Sequence, residues 1–267
     1  MHATSAASTK GSDAPDKTYQ GLRRFNLGMG FLHLIQGILM IVLSNATTYP
    51  IYTNFLKFDL AARSLVPDPQ LVYELRFGPA VALFLLISAV AHVSLATFGY
   101  GWYVKHLKKG MNPARFYEYA LSSSLMIVLI GMLVGVWDLG TMIVMFGINA
   151  MMNLFGMVME LHNQTTKKTD WTSYIFGVIA GIVPWIAIAI YLFGAGSGDA
   201  RPPTFVYVIF GSIFIFFNSF AINMILQYKK VGRWRDYLFG ERVYIILSLA
   251  AKTALAWMIF AGTLAPV

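Results

Sequence analysis

Lys252 is the one charged residue in the run Val243–Thr263, VYIILSLAAKTALAWMIFAGT. A charge at the centre of an apolar span costs at least ~2.5–3.5 kcal/mol, so such a residue is a functional-site hypothesis by default. A buried lysine is also readily deprotonated, which suits it to condense with a carbonyl compound as a Schiff base. A buried cation needs a carboxylate, and Glu118 is the acidic residue that falls well inside an apolar run. Ser122 follows Glu118 by one helical turn and Ser248 precedes Lys252 by one, so each can hydrogen-bond to the pair. His33 and His92 are the other ionisable residues at comparable depth. The bland readings stay open: an interfacial Glu118, histidines that only bridge helices, and serines bonded back to their own helices. Arg115 and Glu160 form either a gate at the helix ends or a surface ion pair. Metal binding finds no support, since HxxxH and ExxH spacings are absent, cysteine is absent, and a lysine cation repels a divalent ion.

The elements that must position these groups are membrane helices. The 267 residues are 57% hydrophobic and 12% charged, about half the charge of a soluble domain. Seven apolar runs are long enough to span: 25–44, 78–100, 113–136, 140–162, 173–193, 204–228 and 239–263. They are far longer than barrel strands, so the fold class is an all-α membrane protein with a seven-helix bundle. The net charge of +8 lies in the loops between the runs, which points to membrane orientation rather than nucleic acid. An inward N-terminus gives the cytoplasmic side 15 Lys and Arg residues and the outer side 4, namely Lys57, Arg63, Arg76 and Arg201. That split places the N-terminus in the cytoplasm and the C-terminus outside.

At 1.5 Å per residue, Glu118 lies roughly 9 Å, His92 roughly 12 Å, His33 roughly 13 Å and Lys252 roughly 20 Å from the cytoplasmic side. The lysine stem leans toward its helix N-terminus, which brings the nitrogen near the level of Glu118. Residues 1–24 read as a cytosolic, partly disordered tail without the apolar core of a signal peptide, and residues 25–267 as the seven-helix domain. The long outer loop 45–77 contains TTYPIYTNFLKF, which fits a short hairpin over the outer face or a plain surface loop. The last run ends close to the C-terminus, so no catalytic or signalling domain is expected beyond it, and the chain is not read as an enzyme. Pro113 after Asn112 marks a helix start, and Gly131-x-x-x-Gly135 and Gly177-x-x-x-Gly181 predict close helix packing or a dimer contact. Trp185, Tyr191, Phe210, Phe214, Phe216, Phe217 and Trp257 crowd the later runs, as aromatics do in any bundle core, and only together with seven helices and a lysine in the last do they point to a flat conjugated ligand.

Seven runs, a lysine midway along the seventh and a carboxylate in the third resemble the microbial-type rhodopsins. Four segments resemble the heliorhodopsins in particular: RFYEYALSSSLMIVLI, GIVPWIAIAIY, FFNSFA and GERVYIILSLAAKTALAWMIFAGTLAPV. The inverted topology read from loop charge is also that family's hallmark. The resemblance implies a retinal-binding domain, with all-trans-retinal held as a protonated Schiff base on Lys252 and Glu118 as its single counterion. It also implies His33, His92 and Ser248 near that nitrogen, and Asn149, Trp185 and Phe217 as retinal-pocket positions. A homodimer in the lipid bilayer is the expected state.

Outward proton pumps carry acidic groups on both sides of the Schiff base, where this chain has Ser248 and Leu129. With one deep carboxylate the relay is incomplete, so the expected function is a light sensor that signals to a cytoplasmic partner. The rivals are a light-driven or light-gated transporter, a regulator that binds a soluble enzyme through its basic loops, and a retinal-free transporter.

Overall fold

The computed structural model describes residues 17–196 and 201–266. Seven of its helices are long and apolar enough to cross a membrane. In chain order the elements are α1 (Lys17–Leu43), β1 (Thr48–Asp59), β2 (Ser64–Arg76), α2 (Phe77–Ala96) and the short α3 (Tyr100–Leu107). Then come α4 (Pro113–Leu133), α5 (Leu139–His162), α6 (Thr172–Gly194), α7 (Thr204–Tyr228) and α8 (Tyr237–Ile259), extended by one π turn to Leu264. α1, α2, α4, α5, α6, α7 and α8 cross; α3 does not.

The solvent logic is that of a lipid environment. Large apolar side chains such as Phe31, Ile35, Ile38, Ile143, Ile179, Ile190 and Ile215 face outward, while Asn26, His33, Ser88, His92, Asn149, Ser248 and Lys252 are buried. Small residues on α1 let helices meet. A Cβ at Gly37 would stand 2.7 Å from Leu86 Cδ2, and one at Gly30 would stand 2.9 Å from Val93 Cγ2. α5 and α6 meet in the same way at Gly177 and Gly181, as the small-residue spacing predicts. In the other pair, Gly131 packs against Met145, but Gly135 has φ 97° just beyond the end of α4 and ends that helix. Pro113 opens α4 behind Asn112, whose side chain accepts from the Arg115 amide at 3.3 Å.

Two expectations change. Residues 17–24 of the expected tail are the first turns of α1, with Leu22 packed against Tyr103, Leu107 and Ile245. Residues 1–16 of that tail lie outside the described residues. The loop 45–77 is a long antiparallel hairpin with a bulge between Ile51 and Tyr52, not a short one. Its second strand holds Pro67 and Pro69, opposite Leu56 and Asn54, which a two-stranded ribbon tolerates because each strand has a free edge. The hairpin base is fastened to the bundle. Tyr52 donates its amide to the Trp137 carbonyl at 2.8 Å, and Asn45 donates its own to that of Leu264 at 2.9 Å.

Candidate functional site

The side chain of Lys252 is 3% exposed, and its Nζ lies 3.2 Å from Glu118 Oε1. Nζ also donates to Ser248 Oγ at 2.8 Å, one turn back on α8, and sits 5.0 Å above the centre of the Tyr119 ring. Glu118 is steadied from the other side by the Ser88 hydroxyl, which donates to Oε1 at 2.6 Å. His92 Nδ1 meets Asn26 Oδ1 at 2.8 Å, and the His33 and His92 rings stack with centroids 5.6 Å apart. Thus α1, α2, α4 and α8 each contribute polar side chains to this part of the interior.

Other expected positions fall differently. Ser122 is buried, but its hydroxyl has no protein partner, so it is not hydrogen-bonded to the Lys252–Glu118 pair. Its neighbours Ser123 and Ser124 instead accept from Asn149 Nδ2 at 2.9 and 3.1 Å, tying α5 to α4. Trp185 stands among Phe210, Phe214 and Phe217, with ring centroids 5.3–5.6 Å away in edge-to-face geometry. A cavity of about 340 Å³ opens between α4, α5, α6 and α7, lined by Tyr119, Met152, Gly181, Trp185, Phe214 and Phe217 among others. A smaller cavity of about 50 Å³ shares Tyr119, Met152, Asn153, Phe217 and Phe220 with it and ends on Ser248 and Lys252. An apolar, aromatic slot leading to one buried amine fits an elongated conjugated aldehyde. Both ring nitrogens of His33 and the Ser122 hydroxyl are buried without protein partners, which marks this interior as polar beyond what the protein alone satisfies.

The Arg115–Glu160 pair is neither exposed nor a pair. Arg115 Nη2 donates to Glu160 Oε1 at 2.5 Å, Nη1 donates to Glu241, and the three side chains are 2–3% exposed. Glu241 also accepts from Tyr103 Oη at 3.0 Å and Asn112 Nδ2 at 2.6 Å. Glu160 accepts from the Asn112 amide at 2.8 Å and Tyr237 Oη at 3.1 Å. The premise of a single buried carboxylate therefore needs correction: Glu160 and Glu241 are buried as well, in a cluster at the end of the bundle away from the hairpin. A cavity of about 30 Å³ lies between the two groups, lined by His92, Glu118, Asn112, Arg115 and Glu241.

Sequence reasoning missed Ser88, Asn26, Tyr119 and Glu241. Two had a readable signal. Ser88 precedes His92 by one turn, and Glu241, Ser248 and Lys252 fall at intervals of 7 and 4 along one face of α8.

A protein-family model described as Heliorhodopsin matches residues 22–264. Among solved structures, the chain is similar to the crystal structure of cyanorhodopsin from the cyanobacterium Tolypothrix sp. NIES-4075. The identity is 12% and the TM-score 0.62, over 94% of this chain and 96% of that one, a likeness of fold alone. No curated protein matches.

Proposed function

This chain belongs to the heliorhodopsin family, and from that premise we propose that it is a light sensor with Lys252 as the attachment site of retinal and Glu118 as the single counterion. Membership makes it a multi-pass, light-responsive retinal protein of a photoreceptor family. The finer reading is carried by one observation: a buried amine, paired with Glu118 at 3.2 Å, at the end of an aromatic slot. Lys252 Nζ would hold all-trans-retinal through a protonated Schiff base, with Trp185 and Phe217 against the polyene and Asn149 fixing the α4–α5 wall. Bound there, retinal supplies light absorption and an isomerisation that changes shape and charge at the lysine nitrogen. Glu118, held by Ser88, and Ser248 orient the proton on that nitrogen. His92, fixed by Asn26, and His33 stand ready to share it once it leaves. Ser122 adds a further buried hydroxyl to this interior.

Where that proton can go favours sensing. Toward the hairpin end the core is Phe77, Val81, Leu85, Leu129, Met132, Ile188 and Ile259, and among the described residues it holds no buried acidic or basic side chain. A relay open on one side only does not move protons across a membrane. The loop charges support an extracellular hairpin end and a cytoplasmic opposite end, with the N-terminus inside. The change at Lys252 would then be read at the cytoplasmic face by a partner protein, with the chain acting as a homodimer.

One observation favours a second reading, a light-driven or light-gated ion or proton transporter: Glu241 and Glu160 extend the buried acidic groups from Glu118 toward one face. Two measurements decide. All-trans-retinal added to the purified apoprotein should give a visible band that Lys252→Ala abolishes; a band surviving that change rejects the attachment site. Voltage-clamped cells expressing the protein should show no steady photocurrent, and a sustained current rejects the sensor.

A further inference from the structure

At the end away from the hairpin, three loops enclose a cavity of about 290 Å³ that the lysine site does not use. Gly110 enters it after α3, Asn163, Gln164 and residues 166–169 after α5, and Lys230, Trp234 and Arg235 before α8. Four cations line it: Lys167, Lys168, Lys230 and Arg235. No carboxylate does, and none of the four forms an ion pair among the described residues. The nearby acids are spoken for. Asp170 accepts from the Thr172 amide at 2.8 Å and faces His162 at 3.4 Å, while Asp236 caps α8 through the Leu238 amide at 2.9 Å. The walls are fixed by the Asn163 side chain, which bonds the Met159 and Asp170 carbonyls at 2.9 and 3.0 Å, and by Gln227, which donates to the Tyr237 carbonyl at 3.1 Å.

We propose that this cavity binds a phosphate group, carried either by a soluble phosphate compound or by an acidic phospholipid headgroup. Four exposed cations around one concavity, none of them in an ion pair among the described residues, suit a tetrahedral, multiply charged anion, because charge-assisted hydrogen bonds to its oxygens are the strong ones. A scattered basic surface would orient the protein in a membrane equally well but would not be concave. The site stands independently of the retinal reading.

The test uses the full-length, retinal-loaded protein in phosphatidylcholine nanodiscs and inorganic pyrophosphate as probe, by titration calorimetry at low salt. One saturable site is expected, weakened about 10-fold or more in Lys167→Gln/Lys168→Gln and in Lys230→Gln/Arg235→Gln. Lys105→Gln/Lys109→Gln, which removes exposed cations outside the cavity, should leave it within about twofold. An unchanged far-ultraviolet circular dichroism spectrum shows that each variant is folded. In nanodiscs containing phosphatidylglycerol, loss of pyrophosphate binding assigns the site to a headgroup, and retained binding assigns it to a soluble phosphate. Three results overturn the proposal: no saturable pyrophosphate binding in phosphatidylcholine, equal weakening by the Lys105/Lys109 control, or malonate binding as tightly as pyrophosphate.

Discussion

Arg115 between Glu160 and Glu241 gives the sharpest energetic test. Each carboxylate attracts the guanidinium by about 4 kcal/mol gross at a charge separation of ~4 Å and an effective dielectric of ~20. Taking the three ions out of water costs several kcal/mol apiece, so the intact cluster contributes little net stability. Truncation is another matter. Arg115→Gln leaves two buried carboxylates facing each other, and it removes a cation held 3.8 Å from the centre of the Tyr244 ring and 4.7 Å from that of Phe116. The expected loss is about 3–5 kcal/mol, or roughly 6–20 °C in Tm for a chain of this size. Glu160→Gln and Glu241→Gln each leave one cation with one carboxylate. Each also turns one accepted hydrogen bond into a donor facing a donor, for about 1–3 kcal/mol. Thermal melts followed by the visible band and by circular dichroism should rank Arg115→Gln well below both glutamine variants. Equal losses in all three, or an Arg115→Gln loss under about 1 kcal/mol, would refute the charge argument and leave shape as what holds the cluster.

Glu118→Gln should shift the visible band of the retinal-loaded protein to the red at a pH where the pigment stays protonated, because a negative charge 3.2 Å from the lysine nitrogen is removed; an unmoved or blue-shifted band argues against Glu118 as counterion. Gly181→Ala puts a Cβ 2.5 Å from Met152 Sδ and drives that side chain into the cavity; slower retinal uptake and a loss of about 1–3 kcal/mol are expected, and wild-type uptake would dissociate this cavity from retinal binding. Asp138 caps α5 by accepting from the Thr141 amide and hydroxyl at 2.7 and 2.8 Å, and these bonds, with one from Asn54, hold its carboxyl below the usual range. A depressed carboxyl stabilises the fold above its unfolded pKa of ~3.9 and loses that contribution as pH falls through its folded value. Asp138→Ala should therefore cost about 1 kcal/mol in denaturant unfolding at pH 7, with the difference from wild type shrinking below about pH 4; a gap independent of pH counts against it.

What could be read from the chain was what is expensive in an apolar run. Lys252, Glu118, His33, His92 and Ser248 declare themselves because a polar group at mid-span needs a reason. The seven runs do so by length. Features set by rotation or by partners were hidden. Ser122, Ser123 and Ser124 are identical in type, and only the orientation of α4 decides that two of them meet Asn149 while Ser122 does not. Asn26 lies near a span end, where polar residues are ordinary, and becomes informative only when His92 arrives from another helix. The start of α1 was illegible because Lys17–Arg24 is polar, yet Leu22 within it is buried. The second hairpin strand was masked by Pro67 and Pro69, which weaken a strand reading unless the edges are known to be free.

The buried Arg115 cluster also changes how the lysine site relates to the rest of the molecule. From Glu118 and His92, a small cavity leads to Arg115 and Glu241; Arg115 bonds Glu160; Glu160 accepts from Tyr237; and Tyr237 forms part of the wall of the basic cavity. Contiguity alone is not coupling, which requires an element with two arrangements that both sites bias. In the structure Arg115 has one arrangement, its guanidinium shared by Glu160 on α5 and Glu241 on α8. Toward the hairpin the core around Leu85, Leu129 and Ile259 holds no buried acidic or basic side chain among the described residues. An event at Lys252 therefore has one polar direction in which to spread, and that direction ends at the loops richest in lysine and arginine.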